Sequence, residues 1–258
     1  DNNYNIKKQI KVKNTLKFLT QGSKIYRENL NTKIIAITGS CGKTTLKELL
    51  GNSLKGLSKV SVSPKSYNNK YGVPLSLFNL DQKDQFGVLE LGMDKKGEID
   101  HLSEIVKPDI SVITNINYAH AKNFKNIKHI ALAKSEIINN TKVNGFIILN
   151  ADDNFFSFHK NVAIKKGIKI LSFGIKNKYS NIKLISIKKN GSKFKAIIQI
   201  NSIKTYFFIS NDFKNNILNT LAALAVMSIY FDISKLDKNI FINFKIPVGR
   251  GDISKLRI

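Results

Sequence analysis

Lys33-Ile34-Ile35-Ala36-Ile37-Thr38-Gly39-Ser40-Cys41-Gly42-Lys43-Thr44-Thr45 is the stretch from which the fold of this chain can be read. Ile34 to Ile37 is a short apolar run of strand type, and Leu46, Leu49, Leu50 and Leu54 then mark one face of a helix. A Gly-rich stretch between a strand and a helix is the setting of a phosphate loop. Its glycines let backbone amides approach phosphate oxygens, the helix N-terminus adds a favourable field, and Lys43 can reach the β and γ oxygens. Gly39, Ser40, Cys41, Gly42, Lys43, Thr44 and Thr45 are therefore the candidate nucleotide-binding residues, with the Thr44 hydroxyl offered to Mg2+. The spacing departs from G-x-x-x-x-G-K-[ST], since Ile37 stands at the place of the first glycine. An ordinary Gly-rich strand-to-helix turn is the alternative.

Downstream, apolar strands alternate with helical patterns. Val60-Ser61-Val62, Val88 to Leu91, Ile110 to Ile113 and Phe146 to Leu149 read as strands, and Glu98 to Val106 and Ile127 to Asn139 as helices. Continuous apolar strands separated by amphipathic helices predict an α/β domain with a doubly wound, mostly parallel sheet covered on both faces. From about residue 168 to 210 the pattern changes to alternating strands with Asn-Lys and Asn-Gly turns, including Lys189-Asn190-Gly191-Ser192, which predicts a small antiparallel β-sheet appended to the main one. Helix returns at Phe213 to Tyr230, and a final short helix precedes Pro247-Val248-Gly249-Arg250. Upstream, Leu16, Leu19 and Ile25 carry a weak helical pattern of linker type.

Composition bounds the function class. At 258 residues and 42% hydrophobic, the chain can bury a substantial core, and no apolar run approaches the roughly 20 residues that span a bilayer. A net charge of +24 invites a nucleic-acid or anionic-membrane reading, but the lysines are scattered among Asn and Ile as AT-rich codon usage would scatter them. Neither nucleic-acid binding nor membrane insertion is expected. Cys41 is the single cysteine, so no internal disulfide exists, and no segment has a signal-peptide layout. A reducing bacterial cytoplasm and a monomer fit. The start at Asp1 and the stop after Leu256-Arg257-Ile258 suggest a piece of a longer protein.

Ligands of parallel sheets sit beyond the carboxyl ends of the strands. Glu90 closes one strand between Leu89 and Leu91, where a carboxylate is costly unless it holds a cation; a surface strand-end acid is the alternative. His120 follows the next strand and suits a metal or phosphate, or a satisfied structural histidine. Lys134 falls on the apolar stripe of Ile127, Ile130, Ala131 and Ile138. Burial there disfavours the charged amine, and a neutral lysine can react with carbon dioxide to give an anionic carbamate able to bind a second Mg2+; the alternative is a lysine that snorkels to the surface.

Together these segments resemble the Mur ligase family. The matches are Ile37 to Glu48, Tyr67-Asn68-Asn69-Lys70-Tyr71-Gly72-Val73-Pro74-Leu75, Asn115 to His120, Ala133-Lys134-Ser135-Glu136, Asn216-Ile217-Leu218-Asn219 and Gly249-Arg250. Glu90-Leu91-Gly92-Met93 followed by Gly97-Glu98-Ile99 favours the branch that joins D-alanyl-D-alanine to UDP-N-acetylmuramoyl-tripeptide in peptidoglycan synthesis. The resemblance implies ATP and Mg2+ as cofactors. It implies that Lys43 and the loop amides hold the phosphates, that Thr44 and Glu90 bind one Mg2+, and that His120 with carbamylated Lys134 serves a second. Asn69 would lie near the transferred phosphate, and Asn216, Asn219 and Arg250 would contact the nucleotide. Asn215 departs from the histidine often found there in the family.

The implied layout is a linker or remnant of an N-terminal substrate domain over 1–32, a central ATP-binding domain over 33–250 and the start of a further linker over 251–258. Family members carry flanking domains for the UDP-sugar and the amine, so this chain alone is expected to bind nucleotide weakly and ligate nothing. A sister ligase, adding one amino acid to a muramoyl peptide or glutamate to folate, and a non-catalytic nucleotide-binding module are the rival readings.

Overall fold

The nine strands of the domain form one sheet in the order β2-β3-β1-β4-β5-β6-β7-β8-β9, as given by a computed structural model that describes residues 10–118, 123–210 and 216–247. The elements in chain order are α1 (Thr15–Glu28), β1 (Lys33–Thr38), α2 (Lys43–Lys55), β2 (Val60–Val62), α3 (Gly72–Phe78), β3 (Phe86–Glu90), α4 (Glu98–Val106) and β4 (Ile110–Ile113). They continue with α5 (Ile127–Ser135), β5 (Phe146–Asn150), α6 (Phe156–Lys165), β6 (Lys169–Gly174), β7 (Ile182–Asn190), β8 (Lys193–Ile200), β9 (Ile203–Ser210) and α7 (Ile217–Met227).

β2 to β7 run parallel, and β7-β8-β9 are antiparallel. The expected doubly wound α/β architecture is therefore present. The small antiparallel part is present as well, joined to the main sheet because β6 pairs in parallel with β7; it begins at Ile182 rather than near residue 168, since β6 still runs parallel. Their hairpin turns where the Asn-Gly sequence predicts it, with Gly191 at φ 61°.

Two buried cores flank the sheet. One holds α2 and α7 against Ile35, Ile37, Val88, Ile148, Ile198 and Phe207; the other packs Ile34, Ala36, Leu89, Ile113 and Ile147 against helices that include α4, α5 and α6. Successive residues of β1 feed opposite cores, which is why its run is apolar throughout. α5 ends at Ser135 rather than Asn139 and continues as a 3-10 turn over Glu136–Asn140. At that change of helix type the Glu136 carboxylate accepts from the Gly97 amide at 2.9 Å and the Asp100 amide at 3.2 Å, capping α4. The returning helix is α-helical over Ile217–Met227, with 213–215 outside the described residues. The final short helix is a 3-10 turn at Ile233–Lys235.

Candidate active site

The loop after β1 is built by two glycines and the strand beside it. Gly39 (φ 147°) runs so close to β4 that a Cβ would sit 1.9 Å from the Thr114 Oγ1, and Gly42 (φ 83°) opens α2 with room for a Cβ filled by the Asn219 Oδ1 at 2.9 Å. The segment after β4 holds the loop in turn. Thr114 donates its hydroxyl to the Cys41 carbonyl at 2.6 Å, the Asn115 Oδ1 accepts from the Cys41 amide at 3.0 Å, and the Ser40 hydroxyl exchanges hydrogen bonds with the Asn117 backbone at 2.9 Å. Asp153 fixes that segment by accepting from the Ile116 amide at 2.7 Å.

Lys43 Nζ folds back on the loop, donating to the Gly39 carbonyl at 2.8 Å and the Ser40 carbonyl at 3.3 Å. Thr44, on the first turn of α2, donates its hydroxyl to Glu90 Oε2 at 2.7 Å, and Thr45 is buried beside it. The Asn68 amide donates to Glu90 Oε1 at 2.8 Å, so both oxygens of a carboxylate only 1% exposed are held. A hydroxyl and a carboxylate converging beside a phosphate loop are hard oxygen donors, the kind Mg2+ takes one or two of while phosphates and water complete its shell. Among the described residues no group of three or more His, Cys, Asp or Glu side chains is placed to hold a metal ion.

Lys134 is 2% exposed, and no hydrogen bond from its amine is found among the described residues. Burial above all, and then the Lys43 ammonium, lower its pKa from 10.5 to about 7, against weaker upward pulls from Cys41 and Glu90. The lysine does not snorkel: it is buried in the fold. His159 on α6 supports this stretch of α5, its Nε2 lying 3.1 Å from the Ala131 carbonyl.

Asn69 lines a cavity of about 720 Å³ with Lys43, Asn68, Gly92 and Met93. Its Oδ1 accepts from the Tyr71 and Gly72 amides at 3.0 Å each, fixing the start of α3. Asn216 and Asn219 share a 3.4 Å hydrogen bond at the start of α7. His120 and Arg250 lie outside the described residues.

Sequence reasoning gave no role to Asn68, Thr114, Asn115, Lys47 or Asp153. Asn68 stood inside the quoted Tyr67-to-Leu75 stretch, and only its partner across the sheet reveals its function. Lys47, fully buried, donates to the Ser63 carbonyl at 2.6 Å and the Lys65 carbonyl at 2.5 Å, pinning the loop that presents Asn68 and Asn69.

With this geometry in place, residues 37–227 match the Mur ligase middle domain. The chain belongs to the Mur ligase family. The matched span of this Mur ligase middle domain opens within β1 and closes at the last residue of α7, so it takes in the loop, Glu90, Lys134 and Asn219. Over 178 residues the domain is 42% identical to the UDP-N-acetylmuramoyl-tripeptide--D-alanyl-D-alanine ligase of Buchnera aphidicola subsp. Acyrthosiphon pisum, covering 69% of this chain and 39% of that one. It superposes on a MurF crystal structure from Acinetobacter baumannii with a TM-score of 0.86 at 30% identity, covering 96% of this chain and 54% of that one. A MurF ligase from Thermotoga maritima in complex with ADP superposes with a TM-score of 0.84 at 27% identity, over 95% of this chain and 56% of that one. The chain thus spans about half the length of the relatives it matches.

Proposed function

We propose that this Mur ligase middle domain is the ATP site of a ligase that joins D-alanyl-D-alanine to the carboxylate of UDP-N-acetylmuramoyl-tripeptide, supplying a peptidoglycan precursor in the bacterial cytoplasm. The observation that carries the reading is the convergence of Thr44, Asn68, Glu90 and buried Lys134 on one phosphate loop. The ADP complex of the Thermotoga maritima relative supports the nucleotide assignment.

In this reading the loop amides and Lys43 bind the ATP phosphates, Thr44 and Glu90 hold one Mg2+, and His120 with Lys134 as its carbamate holds a second. Bound Mg2+ supplies charge neutralisation. The tripeptide carboxylate and the triphosphate repel one another, so Lys43 must lower that repulsion while Asn69 orients the transferred phosphate. Attack of the carboxylate on the γ-phosphorus releases ADP and leaves an acyl phosphate, which the amine of D-alanyl-D-alanine displaces with loss of phosphate. Asn216, Asn219 and Arg250 contact the nucleotide. The small-molecule acceptors require flanking domains, and the 258-residue chain acts as a monomer that binds nucleotide weakly and ligates nothing alone.

The test is phosphate release by a full-length protein containing this domain, given ATP, Mg2+ and both acceptors, with each acceptor omitted in turn. Release that needs both supports the reading. Release with a single amino acid in place of the dipeptide moves the protein to a sister ligase, and nucleotide binding without release makes it a binding module.

A further inference from the structure

The lysines that look scattered along the chain are gathered by strand pairing. Between Asp153 and Asp212 the sequence has twelve lysines and no acidic residue, and β7, β8 and β9 lie wholly inside that stretch. Alternation sends Leu184, Ala196, Ile198, Phe207 and Ile209 into the core shared with α7. The opposite face carries Lys183, Lys188, Lys193, Lys195 and Lys204. None of its residues belongs to the second buried core, so among the described residues no helix layer covers it.

Lys188 stands directly opposite Lys195, a like-charged cross-strand pair with no carboxylate among the described residues of the face to relieve it. Two rings lie among these ammonium groups: Lys193 Nζ sits 3.7 Å from the centre of Phe208, and Lys195 Nζ 4.1 Å from the centre of Tyr206. The result is a cationic face, without a carboxylate among its described residues, whose repulsion an anionic layer would relieve.

We propose that this face docks the domain on the anionic headgroups of a lipid membrane, by adsorption without insertion. No described helix is long and apolar enough to cross a bilayer. Strand pairing presents five ammonium groups on one face, a multivalent match for a layer of lipid phosphates, with the Tyr206 and Phe208 rings among them as amphipathic contacts. A single-stranded nucleic acid fits less well, because it needs open ring faces for base stacking and lysines occupy these.

The experiment is co-sedimentation of the 258-residue chain with phosphatidylcholine vesicles containing roughly one-third phosphatidylglycerol, at about 0.15 M salt. Binding should require the anionic lipid. A triple variant, Lys188→Gln with Lys195→Gln and Lys204→Gln, should lose about a hundredfold, near fivefold per lysine. A control with Lys13→Gln, Lys83→Gln and Lys128→Gln, of equal net charge, should lose less than about threefold. Both triples are surface changes, and thermal unfolding checks that each is folded. Absence of binding by the unaltered chain, equal losses in both triples, or tighter binding to an oligonucleotide abolished by the first triple would each overturn the proposal.

Discussion

The Thr44 hydroxyl and the Glu90 carboxylate, 46 residues apart in sequence, share a 2.7 Å hydrogen bond that ties the first turn of α2 to the carboxyl end of β3. Sheet order makes this possible: β1 and β3 are direct neighbours, with Ile37 in register with Glu90. The helix that follows β1 therefore starts beside the end of β3.

Glu90→Gln keeps the shape and removes the charge. Mg2+ should then tighten ADP binding at least tenfold less than in the unaltered chain, while affinity in EDTA stays within about twofold. Calorimetric titration with and without Mg2+ reads both; an unchanged Mg2+ effect would remove Glu90 from the metal site.

Gly39 and Gly97 both have positive φ, but a Cβ at Gly97 meets nothing within 4 Å, whereas at Gly39 it meets Thr114 at 1.9 Å. Gly39→Ala should therefore cost about 2 kcal/mol more than Gly97→Ala in urea unfolding. Equal costs would mean that the loop does not press on Thr114.

Lys134 has a folded pKa of about 7 against an ordinary 10.5. Between those values the unfolded chain binds the extra proton, so the stability tied to this neutral amine is lowest below pH 7 and grows as pH rises. The slope is at most about 1.4 kcal/mol per pH unit. In CO2-free, metal-free buffer between about pH 7 and 9, Lys134→Met should unfold in urea with a correspondingly flatter pH dependence. Parallel slopes would show that the amine is charged in the fold.

The same neutral amine should react with carbon dioxide. Equilibrated with 13C-bicarbonate near about pH 8, the chain should show a carbamate carbonyl resonance by NMR that Lys134→Ala lacks. A signal persisting in the variant would assign the carbamate elsewhere.

Lys47→Met strands the Ser63 and Lys65 carbonyls that its ammonium now satisfies. The expected loss is about 3 kcal/mol by urea unfolding. A loss below about 1 kcal/mol would mean that the loop carrying Asn68 is held by its other contacts.

The amino-acid sequence by itself determined the local pieces: β1, the phosphate loop and α2, the buried strands β3 to β5, helix α4 and the Asn190-Gly191 hairpin. Each is written in the period of nearby apolar residues or in a turn that only certain residues accept, so no distant contact is needed to read it. α3 and α6 were not legible, because a 7-residue helix offers too few turns to show a stripe and α6 has only His159 and Ala163 buried. The tertiary structure decided what lies between elements: β2 at the edge of the sheet, Asn68 on Glu90, the depth at which Lys134 is buried, and five lysines on one face of β7–β9. Those relationships depend on which strands become neighbours, and sheet order is settled by the packing of two whole cores rather than by any stretch of chain.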